Sequence, residues 1–304
     1  MVMRSVKSSV KGWKTAGTRL AVLIGIVLQA LGLAACSLQE PPQPRIDGEI
    51  AKQEKIYRGR GADVPSGYVT GRALSDYAEL LPSGFCDALG SLGGSDRWLD
   101  VGAGDGQAVL DYYAPDDAAP AVKCAPFGAK PRAVAMSIED RRTDKWRLQA
   151  ASLGNDRIRY LSGKRLREYS REELGKFQII TDVYGGFSYT EDLSQFVEKV
   201  LSLLEIGGVF YTMVQSVHLE DGKDKPNTWY LTELVDAAGH DEKVCSWLKK
   251  IACVQVGCES KSDWNTPTEL INIRKVCSDV SVPRMKLLKY DAGNPPGRRF
   301  QLER

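Results

Sequence analysis

A short strand running into a three-glycine turn constrains this 304-residue chain more than any other feature. Arg97-Trp98-Leu99-Asp100-Val101 has strand character, Gly102-Ala103-Gly104-Asp105-Gly106 follows directly, and Gln107 to Tyr113 resumes helical spacing. Glycines let the backbone reverse sharply and approach a ligand, while amides at a helix start have no intrahelical partner and face whatever lies ahead of them. Strand, glycine turn and helix in that order make a nucleotide cradle in an α/β fold. The dinucleotide fingerprint GxGxxG needs glycine at position 107, where Gln107 stands, and this disfavours NAD and FAD.

The run Asp100-Val-Gly102-Ala-Gly104-Asp-Gly106 resembles motif I of class I S-adenosylmethionine-dependent methyltransferases, an acidic residue followed by GxGxG. That resemblance implies an α/β fold with a doubly wound, mostly parallel, seven-stranded Rossmann-like sheet. It also implies S-adenosylmethionine as cofactor, bound at Asp100, Gly102, Ala103, Gly104 and Gly106. A second strand, Ala133 to Ile138, ends at Glu139, where the family carries the acid that accepts from both ribose hydroxyls; Asp140 is the fallback. An acceptor-only carboxylate suits a diol. Glu139 lies 39 residues beyond Asp100, which requires an insertion, and the Pro- and Ala-rich residues 114–132 with Cys124 supply it.

Trp146 to Leu153 fits the next helix and Ile158 to Leu161 a third strand, leading into Ser162-Gly163-Lys164. Where methyltransferases often place an Asp for the adenine amino group, this chain has Lys164, which can only donate. Phe177 to Ile180 is a fourth strand, and Thr181-Asp182-Val183-Tyr184 is its carboxyl end. Side chains there face the ligand crevice of an open sheet, so Asp182 and Tyr184 are the candidates for positioning substrate. Val183-Tyr184 replaces the prolines of the Asn/Asp-Pro-Pro-aromatic enzymes, and base methylation is not indicated. Leu193 to Leu204 repeats apolar residues at helical spacing, Gly207-Gly208 supplies a left-handed turn to end it, and Val209 to Met213 is a fifth strand. Residues 216–280 read as an insertion with helical patches at 228–238 and 244–252. Met285–Tyr290 and Arg299–Leu302 read as the hairpin that completes the sheet.

The first 35 residues are an address. Arg4, Lys7, Lys11, Lys14 and Arg19 precede an apolar run, Leu20 to Leu33, too short for a membrane span of about 20 residues. Leu33-Ala34-Ala35-Cys36 resembles the lipobox of bacterial lipoproteins, which implies lipidation of Cys36, stable membrane anchoring and a place in the cell envelope. In a two-membrane bacterium, Ser37 after the cysteine favours the outer membrane. Residues 36–48, with three prolines between Ser37 and Gly48, read as a tether, and 49–304 as the folded domain. Beyond residue 35 the balance is 36 basic against 39 acidic residues, which gives no electrostatic reason to seek nucleic acid.

Six cysteines remain after Cys36, an even number that permits three bridges in an exported chain. Four of them fall between 245 and 277, so at least one bridge is expected inside that segment. With no CxxC and only His218 and His240, no metal site is expected, and both histidines read as solvated surface groups. Two functions follow from the whole: a membrane-anchored methyltransferase of unknown acceptor, or an envelope lipoprotein that uses the fold as a non-catalytic binding module.

Overall fold

A computed structural model describes residues 43–59, 69–113, 124, 128–154, 156–215, 232–261 and 268–303. The leader, Cys36 and His218 lie outside the described residues. In chain order the elements are α1 (Gln43–Arg58), α2 (Leu74–Leu80), α3 (Phe85–Gly90), β1 (Arg97–Val101), α4 (Gln107–Tyr113), β2 (Arg132–Met136), α5 (Asp144–Leu153) and β3 (Ile158–Leu161). After a 3-10 turn at Leu166–Glu168 come α6 (Arg171–Leu174), β4 (Phe177–Asp182), α7 (Gly186–Tyr189), α8 (Leu193–Leu203), β5 (Leu204–Gln215) and β6 (Thr232–Val235). The chain closes with β7 (Asp241–Glu242), α9 (Val244–Leu248), β8 (Val254–Lys261), β9 (Thr268–Lys275), β10 (Met285–Asp291) and β11 (Gly297–Leu302).

Seven strands form one sheet in the order β3-β2-β1-β4-β5-β9-β8. The pairs among β1 to β5 are parallel, and β9 runs antiparallel between β5 and β8. This is the doubly wound, mostly parallel sheet expected from the sequence. Its inner strands are buried on both faces, as parallel strands covered by helices must be. Alternation along them splits the core into two layers. Leu99, Val101, Val134, Met136, Ile180 and Phe210 face one cluster with α8 and α9, while Trp98, Ala133, Ala135, Ile179 and Tyr211 face the other with α2 to α5. Strand order reverses between β1 and β4, whose carboxyl ends open a crevice.

The hairpin that completes the sheet is β8–β9, inside what the sequence presents as an insertion. Met285–Tyr290 and Arg299–Leu302 instead lie in a second sheet, β10-β11-β6-β7, which packs Met285, Phe300 and Leu234 into the α8 layer. β8 is an edge strand in which Val254, Val256 and Cys258 alternate with Gln255, Gly257 and Glu259 and are only partly buried against the core, a pattern too short to stand out beside the cysteine cluster. Within 228–238, Thr232–Val235 is a strand rather than a helix, held by parallel pairing to Arg298–Gln301. The proposed tether also ends earlier than residue 48. Helix α1 begins at Gln43 with Pro44 in its first turn, buries Ile46 and Gln53, and accepts the Ala292 and Gly293 amides on Glu49 and Gln53 at 2.8 and 2.7 Å. Gly207 (φ 87°) lies within the irregular start of β5 and not at the end of α8, because Leu204 itself donates the capping bond to Val200.

Three disulfides pair all six cysteines: Cys86–Cys124, Cys245–Cys258 and Cys253–Cys277. Two lie within 245–277, and Cys253–Cys277 closes the open end of the β8–β9 hairpin.

Candidate active site

A cavity of about 570 Å³ lies at the carboxyl ends of the parallel strands, lined by Val101 and Gly102 at the end of β1, Met136 and Ser137 at the end of β2, and Tyr184 to Gly186 after β4. That volume is in the range of small-molecule sites. Gly102 and Gly104 form part of the wall with φ of +76° and +58°, in the left-handed region that glycine adopts without strain.

The turn is packed by the protein's own backbone. A Cβ on Gly102 would overlap Gly185, one on Gly104 would overlap the Thr70 carbonyl, and one on Gly106 would sit 2.6 Å from the Trp146 ring. Its amides are largely committed as well: Ala103 donates to Met136 O at 2.9 Å, Asp105 to Thr70 O at 3.0 Å, and Gln107 to the Asp105 carboxylate at 3.0 Å. Ala103 and Gly106 therefore hold the turn's shape and are not in the cavity wall, contrary to their sequence assignment.

Asp100 is placed differently from the expectation too. Strand alternation puts it on the Trp98 face, beneath α2, where it is fully buried and accepts from Tyr77 Oη (2.9 and 3.0 Å) and Thr181 Oγ1 (2.8 Å). Burial pushes its carboxyl up to about 7 against the opposing effect of those hydrogen bonds. Asp182 takes the other face and is equally enclosed. Its two oxygens accept the Gly185 and Phe187 amides at 3.0 and 2.9 Å, and burial raises it to about 7. It fixes the 183–187 turn and is not in the cavity lining. Neither carboxylate lines the cavity, for one reason: a strand-end carboxylate reaches the crevice only if its alternation and the next turn aim it there.

Glu139 stands outside the cavity lining, ion-paired at 2.9 Å with Arg58 of α1. Asp140 is held by Arg142 and Arg147, the hydrogen bond from Arg142 bringing it down to about 2. Strand β2 ends at Met136, so the residue at the crevice is Ser137, and the acid sits two positions too far along. A strand ended at 136 would have singled Ser137 out. Lys164 does line the cavity, paired with Glu173 at 2.9 Å and lying over the Tyr169 ring. Tyr184 lines it as well, in the left-handed region (φ 52°), with Arg72 stacked 4.7 Å from its ring. Burial raises the Tyr184 phenol above its ordinary value, so it stays protonated.

Four further lining cations had no sequence signal: Arg72, Arg165, Arg167 and Lys199. Glu191 is ion-paired with Arg165 (3.4 Å) and Arg167. Burial would raise its carboxyl, but those guanidiniums hold it below the ordinary range. Among the described residues, Arg72 and Lys199 form no ion pair. Arg72 donates to Val69 O and Lys199 to Tyr169 O, and desolvation lowers the Lys199 ammonium. His240 is exposed beside Asp236. No three His, Cys, Asp or Glu side chains cluster as metal ligands would among the described residues.

With Asp100 and Asp182 locked, Tyr184 a neutral phenol and Glu191 tied to two guanidiniums, the described residues of the cavity offer no ready general base. What it supplies is position and charge.

No family model matches the chain, and no curated protein matches it. Solved structures do. One is a Burkholderia thailandensis 1,6-didemethyltoxoflavin-N1-methyltransferase with bound 1,6-didemethyltoxoflavin and S-adenosylhomocysteine, 16% identical, covering 78% of this chain and 91% of that one at a TM-score of 0.45. Another is an rRNA methylase from Streptococcus thermophilus, 13% identical, covering 63% of this chain and 94% of that one at a TM-score of 0.39.

Proposed function

We propose that residues 43–303 are an S-adenosylmethionine-dependent methyltransferase domain acting on a small molecule, carried behind a lipoprotein leader and held to a membrane through acylated Cys36. The observation that carries the first part is the glycine turn after β1, set at the point where strand order reverses and opening into the 570 Å³ cavity. The membrane part is supported by the Leu33-Ala34-Ala35-Cys36 box and by three disulfides, which persist in oxidising compartments.

The residues present fit the cofactor. Gly102 and Gly104 keep side chains out of one wall, the Ser137 hydroxyl both donates and accepts toward a ribose diol, and Met136, Ile138 and Leu166 offer an apolar bed for a base. When bound, S-adenosylmethionine supplies a methyl carbon that leaves its sulfonium with the bonding electron pair kept by sulfur. The protein's share is alignment. Tyr184, fixed by the turn that Asp182 caps, shapes the wall beside the glycines, and Arg72 stacks on its ring. An acceptor held in line gains most of its rate from orientation and needs no buried base.

A second reading, a binding module without turnover, is favoured by the sequestration of Asp182 and the absence of an acid at Ser137. Calorimetry with S-adenosylmethionine and S-adenosylhomocysteine, followed by methyl release assays over candidate acceptors, separates the two. Cofactor binding at micromolar concentrations supports the enzyme, and no binding at millimolar concentrations leaves the module.

A further inference from the structure

The cavity's charge is one-sided. Of its described ionisable lining residues other than the tyrosines, five are cations (Arg72, Lys164, Arg165, Arg167 and Lys199) and one, Glu191, is an acid. Three of the cations have carboxylate partners: Glu173 on Lys164, Glu54 and Glu191 on Arg165, and Glu191 on Arg167. Arg72 and Lys199 have none among the described residues, and they stand on different walls, one before α2 stacked on Tyr184 and the other on α8. Glu172 and Glu173 attract Lys199 from a distance without outweighing its desolvation, and a partly buried cation with no carboxylate in contact gains from an incoming anion. A protein whose body is slightly acidic overall concentrates positive charge here, where field lines focus in a low-dielectric cleft. S-adenosylmethionine brings one carboxylate together with an ammonium and a sulfonium, so it can pair with one of the two cations at most and leaves the other to a second ligand.

Building on the methyltransferase reading, we infer that the second ligand of this cavity, the methyl acceptor, is a small molecule bearing phosphate or carboxylate oxygens, held between Arg72 and Lys199. The two residues bind and orient it, with Arg165 and Arg167, tied by Glu191, maintaining the positive potential around it.

Calorimetric titration with glycerol 3-phosphate and malonate at low ionic strength tests this, with S-adenosylhomocysteine titrated separately. One of the two anions is expected to bind, and its affinity to fall about tenfold in Arg72→Gln and in Lys199→Gln, the loss of one charge-assisted hydrogen bond. Lys249→Gln, an exposed lysine outside the cavity, should leave it unchanged. Thermal melts establish that each variant is folded, and either variant alone suffices. Phosphatidylglycerol against phosphatidylcholine vesicles, with Cys36→Ser protein so that no acyl chain contributes, locates the source. Selective vesicle binding lost in the same variants assigns a lipid headgroup, and its absence beside binding of a free anion assigns a soluble molecule. Bound S-adenosylhomocysteine with no anion or vesicle binding, or anion binding indifferent to both variants, overturns the inference. Anion binding without S-adenosylhomocysteine binding keeps the anion site and removes the methyl-transfer reading instead.

Discussion

Gly104 and Thr70 pack backbone against backbone. The place a Cβ on Gly104 would take overlaps the Thr70 carbonyl oxygen, which accepts the Asp105 amide at 3.0 Å. The glycine turn is thus a docking surface for residues 69–73 as much as a wall for a ligand. Those residues carry Arg72 and lead into α2, whose Tyr77 bonds to Asp100.

Gly104→Ala must therefore push away the segment that bears Arg72. A loss on the order of 3 kcal/mol or more is expected in urea unfolding, since backbone cannot yield as a side-chain tip does. Gly163→Ala is the contrast: it has the same sign of φ (+91°) but open space, so it should lose only about 1 kcal/mol. Equal losses would mean that the contact with Thr70 adds nothing to the backbone strain.

How much of this was legible in the sequence divides along physical lines. Elements β1 and α4 carry their boundaries in their residues, because a strand buried on both faces is a mostly apolar run and glycine turns have few alternatives, and β3, at the sheet edge, shows itself by the alternation of Ile158 and Tyr160 with Arg159. Edge strand β8 sets only Val254, Val256 and Cys258 partly buried against the core, too short an alternation to mark the closing hairpin there rather than at β10–β11. Helix α1 is polar along most of its length, and it is fixed by side-chain bonds to the Ala292 and Gly293 amides that no local pattern shows. In the site, the turn was readable and the direction of each carboxylate was not. Asp100 and Asp182 are one strand position out of phase with each other, facing opposite layers, and neither faces the crevice. The basic lining comes from three separate segments and appears only once they are folded together.

The two buried carboxyls set a pH dependence of stability. Both are raised from 3.8 to about 7 by burial, so between those values the folded protein keeps protons that the unfolded chain has released. Stability is then full near pH 4, falls as pH rises to about 7, and levels off above. At about 1.4 kcal/mol for each pH unit between the two values, the loss is on the order of 4 kcal/mol for each group. Asp100→Asn, whose amide Tyr77 and Thr181 can still satisfy by turning their hydroxyls, should flatten that slope. Urea midpoints at pH 5, 6, 7 and 8 decide it; a wild-type midpoint that rises with pH across this window contradicts the placement of both groups.

The disulfides enclose loops of 13, 24 and 38 residues in sequence separation. Chain-entropy arguments give about 3 to 4 kcal/mol each, growing slowly with loop length. Replacing Cys253 and Cys277 together by alanine should lower stability by about 2–4 kcal/mol. Ligand binding should persist, because the hairpin end they clamp contributes nothing to the cavity wall. Peptide mapping without reduction should recover the three pairs Cys86–Cys124, Cys245–Cys258 and Cys253–Cys277, and any exchange among the last four contradicts the β8–α9 arrangement.

The comparison of Ser137 with Glu139 tests where the ribose-facing position lies. Ser137 lines the cavity directly after β2, whereas Glu139 is turned toward Arg58 at 2.9 Å. Ser137→Ala removes a hydroxyl that a bound diol would use, and S-adenosylhomocysteine affinity should fall about tenfold, the cost of about 1.4 kcal/mol for a missing hydrogen bond. Glu139→Ala removes a partner of Arg58 on α1, so its effect belongs in stability, at a few tenths of a kcal/mol to about 1 for a partly exposed pair. Its affinity should stay within about threefold of the parent. If Glu139→Ala abolishes binding while Ser137→Ala does not, the loop after β2 rearranges on binding and delivers the acid to the ligand, releasing Arg58 and with it the end of α1.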